Sequence, residues 1–123
     1  MIAISFGTIP VAVAGVPVLM STVMTALKIP LTTKLNRLIF RPALGNSASY
    51  FVGLSSTAPG SGGLLNSSTG LSVLFNGQIP AATGRNDEFV LSAPGQDNTV
   101  QPADFALDVS SGGDSIVVFG EQV

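Results

Sequence analysis

The sequence predicts an all-β fold: a single-domain β-sandwich or jelly-roll-like barrel of about eight short strands with long loops. Three observations predict it. Short runs alternate apolar and polar side chains with the period of two that a strand requires. Clusters of Gly, Pro, Asn, Asp and Ser break these runs at short intervals. No stretch carries a convincing long helical period. The 123 residues suit one ordinary domain, and no internal repeat divides them, so residues 1–123 are read as a single unit.

Residues 1–27 carry no charge. Gly7, Pro10, Gly15 and Pro17 break the stretch, and no basic residue opens it, so neither a membrane helix nor a signal peptide is expected. Two strands are expected instead, over 4–13 and 16–20, joined at Ala14-Gly15. Ile9, Val11 and Val13 alternate with Pro10, Ala12 and Ala14. Pro10 and Pro17 point to sheet edges or strand ends, because proline donates nothing to a ladder. This apolar segment, residues 1–20, is also the part of the chain suited to act as an arm on a neighbouring subunit.

A single helical turn is expected over 22–27, capped by Ser21 and stopped before Pro30. Residues 35–42 form the clearest strand, with Leu38 and Phe40 on one face and Arg37, Ile39 and Arg41 on the other. Gly45-Asn46 marks a turn, and residues 49–55 follow as a strand; the two strands read as a hairpin. Residues 57–70 read as a long surface loop, 71–75 as a strand ended by a turn at Asn76-Gly77, and 78–87 as loop. Strands are then expected over 88–93, 104–109 and 115–119, separated by a polar loop at 94–102 and a Ser-Ser-Gly-Gly-Asp turn at 110–114.

Composition excludes more chemistry than it offers. With no His and no Cys, the commonest general base, the commonest metal ligand, disulfides and every Ser-His-Asp or Cys-His nucleophile are ruled out. No enzymatic activity and no cofactor are expected. Asp104 and Asp108 fall on one face of an expected strand, the pattern paired-carboxylate chemistry uses, but two solvated acids beside a core stripe explain it better. Asp97, Asp104, Asp108 and Asp114 are oxygen donors without Ca²⁺-loop spacing, and no metal is expected.

Charged residues are only 10% of the chain, a surface poorly protected against association. Lys28, Lys34, Arg37, Arg41 and Arg85 all precede the acids, so residues 1–86 carry +5, residues 87–123 carry −7, and the net is −2. Two readings follow: head-to-tail attraction between subunits, or strands from the two halves mixing their charges within one fold. Lys34, Arg37 and Arg41 are the candidate partner-docking residues. Five bases without interleaved aromatics make a poor phosphate track, so nucleic acid is not an expected partner.

The segment LNRLIFRPALGNSASYFVGLSS resembles a pattern of small tailed-bacteriophage virion proteins: a strand, Ala or Pro, Gly-Asn, then a strand ending in an aromatic-Val-Gly step. Here these are Ile39 to Pro42, Gly45-Asn46 and Tyr50-Phe51-Val52-Gly53. AVAGVPVLMST at 12–22 is similar to the opening strands of such proteins, though Leu19 follows Val18 directly. ADFALDVSSGGDSIVVFG at 103–120 looks like the closing pair of strands. The resemblance does not extend to residues 57–86. It implies a small β-sandwich in the virion, assembled in the host cytoplasm. It further implies a capsid decoration or cement protein whose partner is the major capsid protein or another virion subunit, as a homo-oligomer, here expected to be a trimer. A tail or head-fibre component, or a receptor- or glycan-binding module, is the alternative.

Overall fold

The computed structural model describes residues 2–43, 45–46, 50–55, 75–77, 88–92 and 100–122, with the backbone alone for 75–77. The described residues are mostly strand: β1 (Ile2–Pro10), β2 (Val18–Leu19), β3 (Arg37–Pro42), β4 (Tyr50–Leu54), β5 (Phe75–Gly77), β6 (Phe89–Ser92), β7 (Phe105–Val109) and β8 (Ser115–Gln122). One helix, α1 (Met20–Ala26), and a 3-10 turn (Pro102–Asp104) complete the described elements. Two four-stranded antiparallel sheets form, in the orders β1-β8-β3-β6 and β2-β7-β4-β5. They do not close into a barrel.

The core lies between the sheets. Phe6, Ile9, Leu38, Phe40, Ile116 and Val118 come from the first sheet; Tyr50, Val52, Phe105, Leu107 and Val109 come from the second. The rings of Phe40 and Phe105 meet edge to face across the gap, with centroids 6.0 Å apart. The buried Tyr50 hydroxyl donates to the Phe40 carbonyl at 3.3 Å, a second tie between the sheets.

β1 shows how the sequence builds an edge. Ile4 and Phe6 face the core, and so do Ile9 and Val11, yet the two pairs differ in parity. The switch is a bulge: Ser5 pairs with Phe119, but Gly7 pairs with Val118, and Phe6 is the extra residue. Gly7 adopts φ +79°, a conformation that glycine reaches without steric cost. Strand pairing ends at Pro10, short of the expected residue 13, and Val13 is exposed. β1 and β2 are both sheet edges, as their prolines suggest, but they belong to different sheets. Residues 2–10, the first half of the expected arm at 1–20, are paired with β8 along the domain's own sheet.

α1 begins at Met20, two residues before the expected turn, and Ser21 does not cap it: Leu19 is the N-cap, without a side-chain bond. Met20 and Met24 enter the core, and Val23 packs against it, the i, i+3, i+4 spacing of a helix face. The helix ends in a Schellman motif. Lys28 N–H donates to the Thr25 carbonyl, Ile29 N–H donates to the Met24 carbonyl, and Lys28 takes the left-handed φ of 61° that glycine usually supplies. α1 packs on β1, β2, β7 and the 3-10 turn.

Two further expectations are corrected. Residues 35–42 and 49–55 are not a hairpin: β3 lies between β8 and β6, while β4 lies between β7 and β5 in the other sheet. The connection 43–49 exceeds the hairpin loops of about two to five residues and carries the chain from one sheet to the other. Asn46, from the expected turn, replaces a ladder partner there: its side-chain amide donates to the Ser115 carbonyl at 2.6 Å and accepts from Ser115 N–H at 2.9 Å. Asn76 and Gly77 are strand rather than turn, because they pair with Phe51 and Tyr50. The loops expected at 57–70 and 78–87, and most of the strand at 71–75, lie outside the described residues.

Candidate functional site

The candidate residues converge on the outer face of the first sheet. β3 is central, so its outward row Arg37, Ile39, Arg41 is flanked by Glu121, Phe119 and Val117 on β8. Ser92 and Val90 flank it on β6. The Arg37 guanidinium lies 3.7 Å from the Glu121 carboxylate. Arg41 Nε donates to Glu88 Oε2, and its guanidinium carbon sits 5.1 Å from the centre of the Phe119 ring. Ile39, between Phe119 and Val90, is buried although it points away from the core. The face is therefore an apolar centre with an ion pair at each end.

Both arginine side chains stay about half exposed, 46% for Arg37 and 47% for Arg41. Exposed pairs of this kind contribute about 0–1 kcal/mol each. Each basic side chain of β3 is nonetheless matched to an acid from the second half of the chain. For these two residues the charge segregation resolves within one fold. Lys34 is exposed just before β3, and Gln122 Nε2 donates to its carbonyl at 3.3 Å. No ion pair to Lys28 or Lys34 occurs among the described residues. Arg85 lies outside them. Glu88, Glu121 and Phe119 were not singled out in the sequence, because only the strand order places them beside the arginines.

The carboxylate pair is corrected. Asp104 is exposed in the 3-10 turn, not in β7, whereas Asp108 is fully buried on the far side of the second sheet. Asp108 Oδ1 accepts from Gly15 N–H at 3.2 Å and from Val109 N–H at 2.8 Å. It is a tie holding the 11–17 connection to β7, and both faces of β7 are buried. Among the described residues no group of three or more acids stands close enough to hold a metal ion. Asp97 lies outside them. No described helix is long and apolar enough to cross a membrane.

A second surface was not anticipated. An apolar groove of about 320 Å³ runs between β1 and α1, lined mainly by Phe6, Ile9 and Pro10 on one wall and Val18, Val23 and Leu27 on the other. Exposed Ile2, Val13, Val16, Leu27 and Leu31 all belong to this N-terminal part of the chain, against only Leu54 and Val90 among the described residues of the rest. Comparison with known proteins finds no family model, no curated protein and no solved structure that matches the chain.

Proposed function

We propose that this chain is a structural protein of a bacteriophage virion, a capsid decoration or cement protein that binds and stabilises the major capsid shell. The observation that carries the reading is the strand order. β1 pairs with β8, β2 with β7, β3 with β6 and β4 with β5, the pairs of one long antiparallel ribbon. Contacts of β3 with β8 and of β4 with β7 then fold that ribbon into two sheets. We read this as the double Greek key of a jelly roll, an arrangement that viral capsid domains use. The resemblance at residues 35–55 supports the same assignment, and so does a sparsely charged surface suited to repeated shallow contacts.

Lectins use the same arrangement, which keeps a glycan-binding role as the second reading. Against it, Tyr50, Phe40, Phe51 and Phe105 are all buried, and Arg41 already covers Phe119. Co-sedimentation of the purified protein with empty phage heads tests the proposal. Binding at a fixed ratio to the shell subunit is the expected result. A protein that ignores heads and tails but binds a glycan array would overturn it.

A further inference from the structure

Among the described residues, β1 is the long open edge. The other edge strands are β6 with four residues, β5 with three and β2 with two, while β1 has nine. Proteins blunt such edges with charges, prolines or bulges. Here the bulge at Gly7 and Pro10 both lie in the second half of the strand. Ile2 to Ser5 pairs with β8 without a register shift and carries no charge, and Phe6, the extra residue of the bulge, borders the groove.

We infer that β1 pairs antiparallel with β1 of a second copy of this chain, centred on Ile4, so that Ile2 of each copy sits at the groove of the other. The register follows from the geometry. Ile4 is the midpoint of the half of β1 that runs from Ile2 to the bulge residue Phe6, and centring there sets Ile2 opposite Phe6 of the second copy. Residues opposite one another in an antiparallel pair point to the same face. Ile2 shares the parity of Ile4 and Phe6, so it projects toward the groove side. It is 59% exposed within one copy, although it lies on the core-facing row. The pairing covers it and fills the groove, twice, by symmetry.

Three arguments select a second copy as the occupant. Residues 1–27 carry no charge, so like meets like without desolvating an ion, whereas a charged strand would lose its hydration with no counter-charge to meet it. Two-fold pairing of the same strand is closed and consumes both edges. The flank also supplies the area of a weak self-association: the five residues that this register pairs, 2–6, extend about 17 Å, and the gap between sheets together with α1 adds a width of about 20 Å. That is roughly 350 Å² per copy and 700 Å² in all, the size of a weak, transient interface.

Sedimentation equilibrium of the purified protein tests this independently of any capsid. The expected species is a dimer, twice the chain mass of 12.5 kDa, in place of the trimer expected at the sequence level. Ile2→Lys sets a charge in the partner's groove and is expected to raise the dimer dissociation constant about a hundredfold or more, with an unchanged thermal melt. Leu27→Lys, on the opposite groove wall and 47% exposed, is expected to weaken the dimer as well, and decides the matter should the first variant fail to fold. A wild-type monomer at about 100 μM, a trimer, or a dimer indifferent to both substitutions overturns the inference.

Discussion

Replacing Gly120 with alanine tests how the two halves of the chain are joined. Gly120 lies in β8, opposite Ile4 on β1 and Leu38 on β3. A Cβ there falls 2.5 Å from the Arg37 carbonyl oxygen and 2.5 Å from Leu35 Cδ1. Ordinary contact needs about 3.4 Å or more, so β3 and β8 must separate by nearly 1 Å or the Leu35 side chain must leave its place. The side chain can give; the backbone carbonyl cannot without loosening the ladder at the centre of the sheet. Overpacking of this kind costs about 1–3 kcal/mol, and the backbone clash places Gly120→Ala at the upper end. Gly7→Ala is the control. Its Cβ meets nothing within 4 Å, and only the left-handed φ of 79° opposes it, at about 1 kcal/mol. Urea unfolding followed by circular dichroism reads both. With a slope of about 1.5 kcal/mol/M, Gly120→Ala should lower the midpoint by about 2 M and Gly7→Ala by less than 1 M. Adding Leu35→Val, which removes Cδ1, should leave the double variant more stable than the sum of the two single changes. A Gly120→Ala midpoint no lower than that of Gly7→Ala would refute the close approach of β3 and β8.

Other substitutions probe the remaining ties, each by the same unfolding assay. Lys28→Gly relieves the left-handed position of the Schellman motif and should stabilise the fold by about 0.5–1 kcal/mol; a loss would mean that the Lys28 side chain contributes more than its backbone strain costs. Tyr50→Phe removes the donor to the Phe40 carbonyl and should cost about 1 kcal/mol, with the ring still packed. Asp108→Ala strands two buried N–H groups, Gly15 and Val109, and should cost at least about 2 kcal/mol, while Asp108→Asn keeps an acceptor and should cost less. Equal effects of those two changes would show that the charge, not the acceptor, holds the 11–17 connection.

The alternation of Leu38 and Phe40 against Arg37 and Arg41 made β3 and its two faces legible in the sequence, and the runs at 104–109 and 115–119 marked the strands β7 and β8. Strand partners were not legible. Period-two patterning says which way a side chain points, not which strand lies beside it, so adjacent runs separated by Gly-Asn read as a hairpin. The asparagine was in fact the lock on β8. The bulge was hidden for a related reason: Ile4, Phe6, Ile9 and Val11 read as a broken alternation until Phe6, ahead of the left-handed Gly7, is recognised as an extra residue. Asp108 looked solvated because its alternation with Leu107 and Val109 implied an outer face. Both faces of β7 are buried, so outward does not mean exposed there.

The pairing of charges also redirects the search for a binding surface. Docking through Arg37 or Arg41 requires a partner to compete with Glu121 or Glu88, each already in place, and an exchange of one exposed ion pair for another yields little free energy. Apolar burial yields about 25 cal/mol for each Å² removed from water, and it needs no exchange. The N-terminal flank offers that area, with a free ladder edge alongside it, while the face around Arg37 and Arg41 offers a patterned rim that disfavours wrong partners. Affinity would then reside in β1, α1 and the groove between them, and selectivity in the ion-paired face of β3. Under the capsid-binding role proposed above, charge reversal at Glu88 and Glu121 together should leave self-association intact yet weaken attachment to a shell, a separation that a single combined surface would not allow.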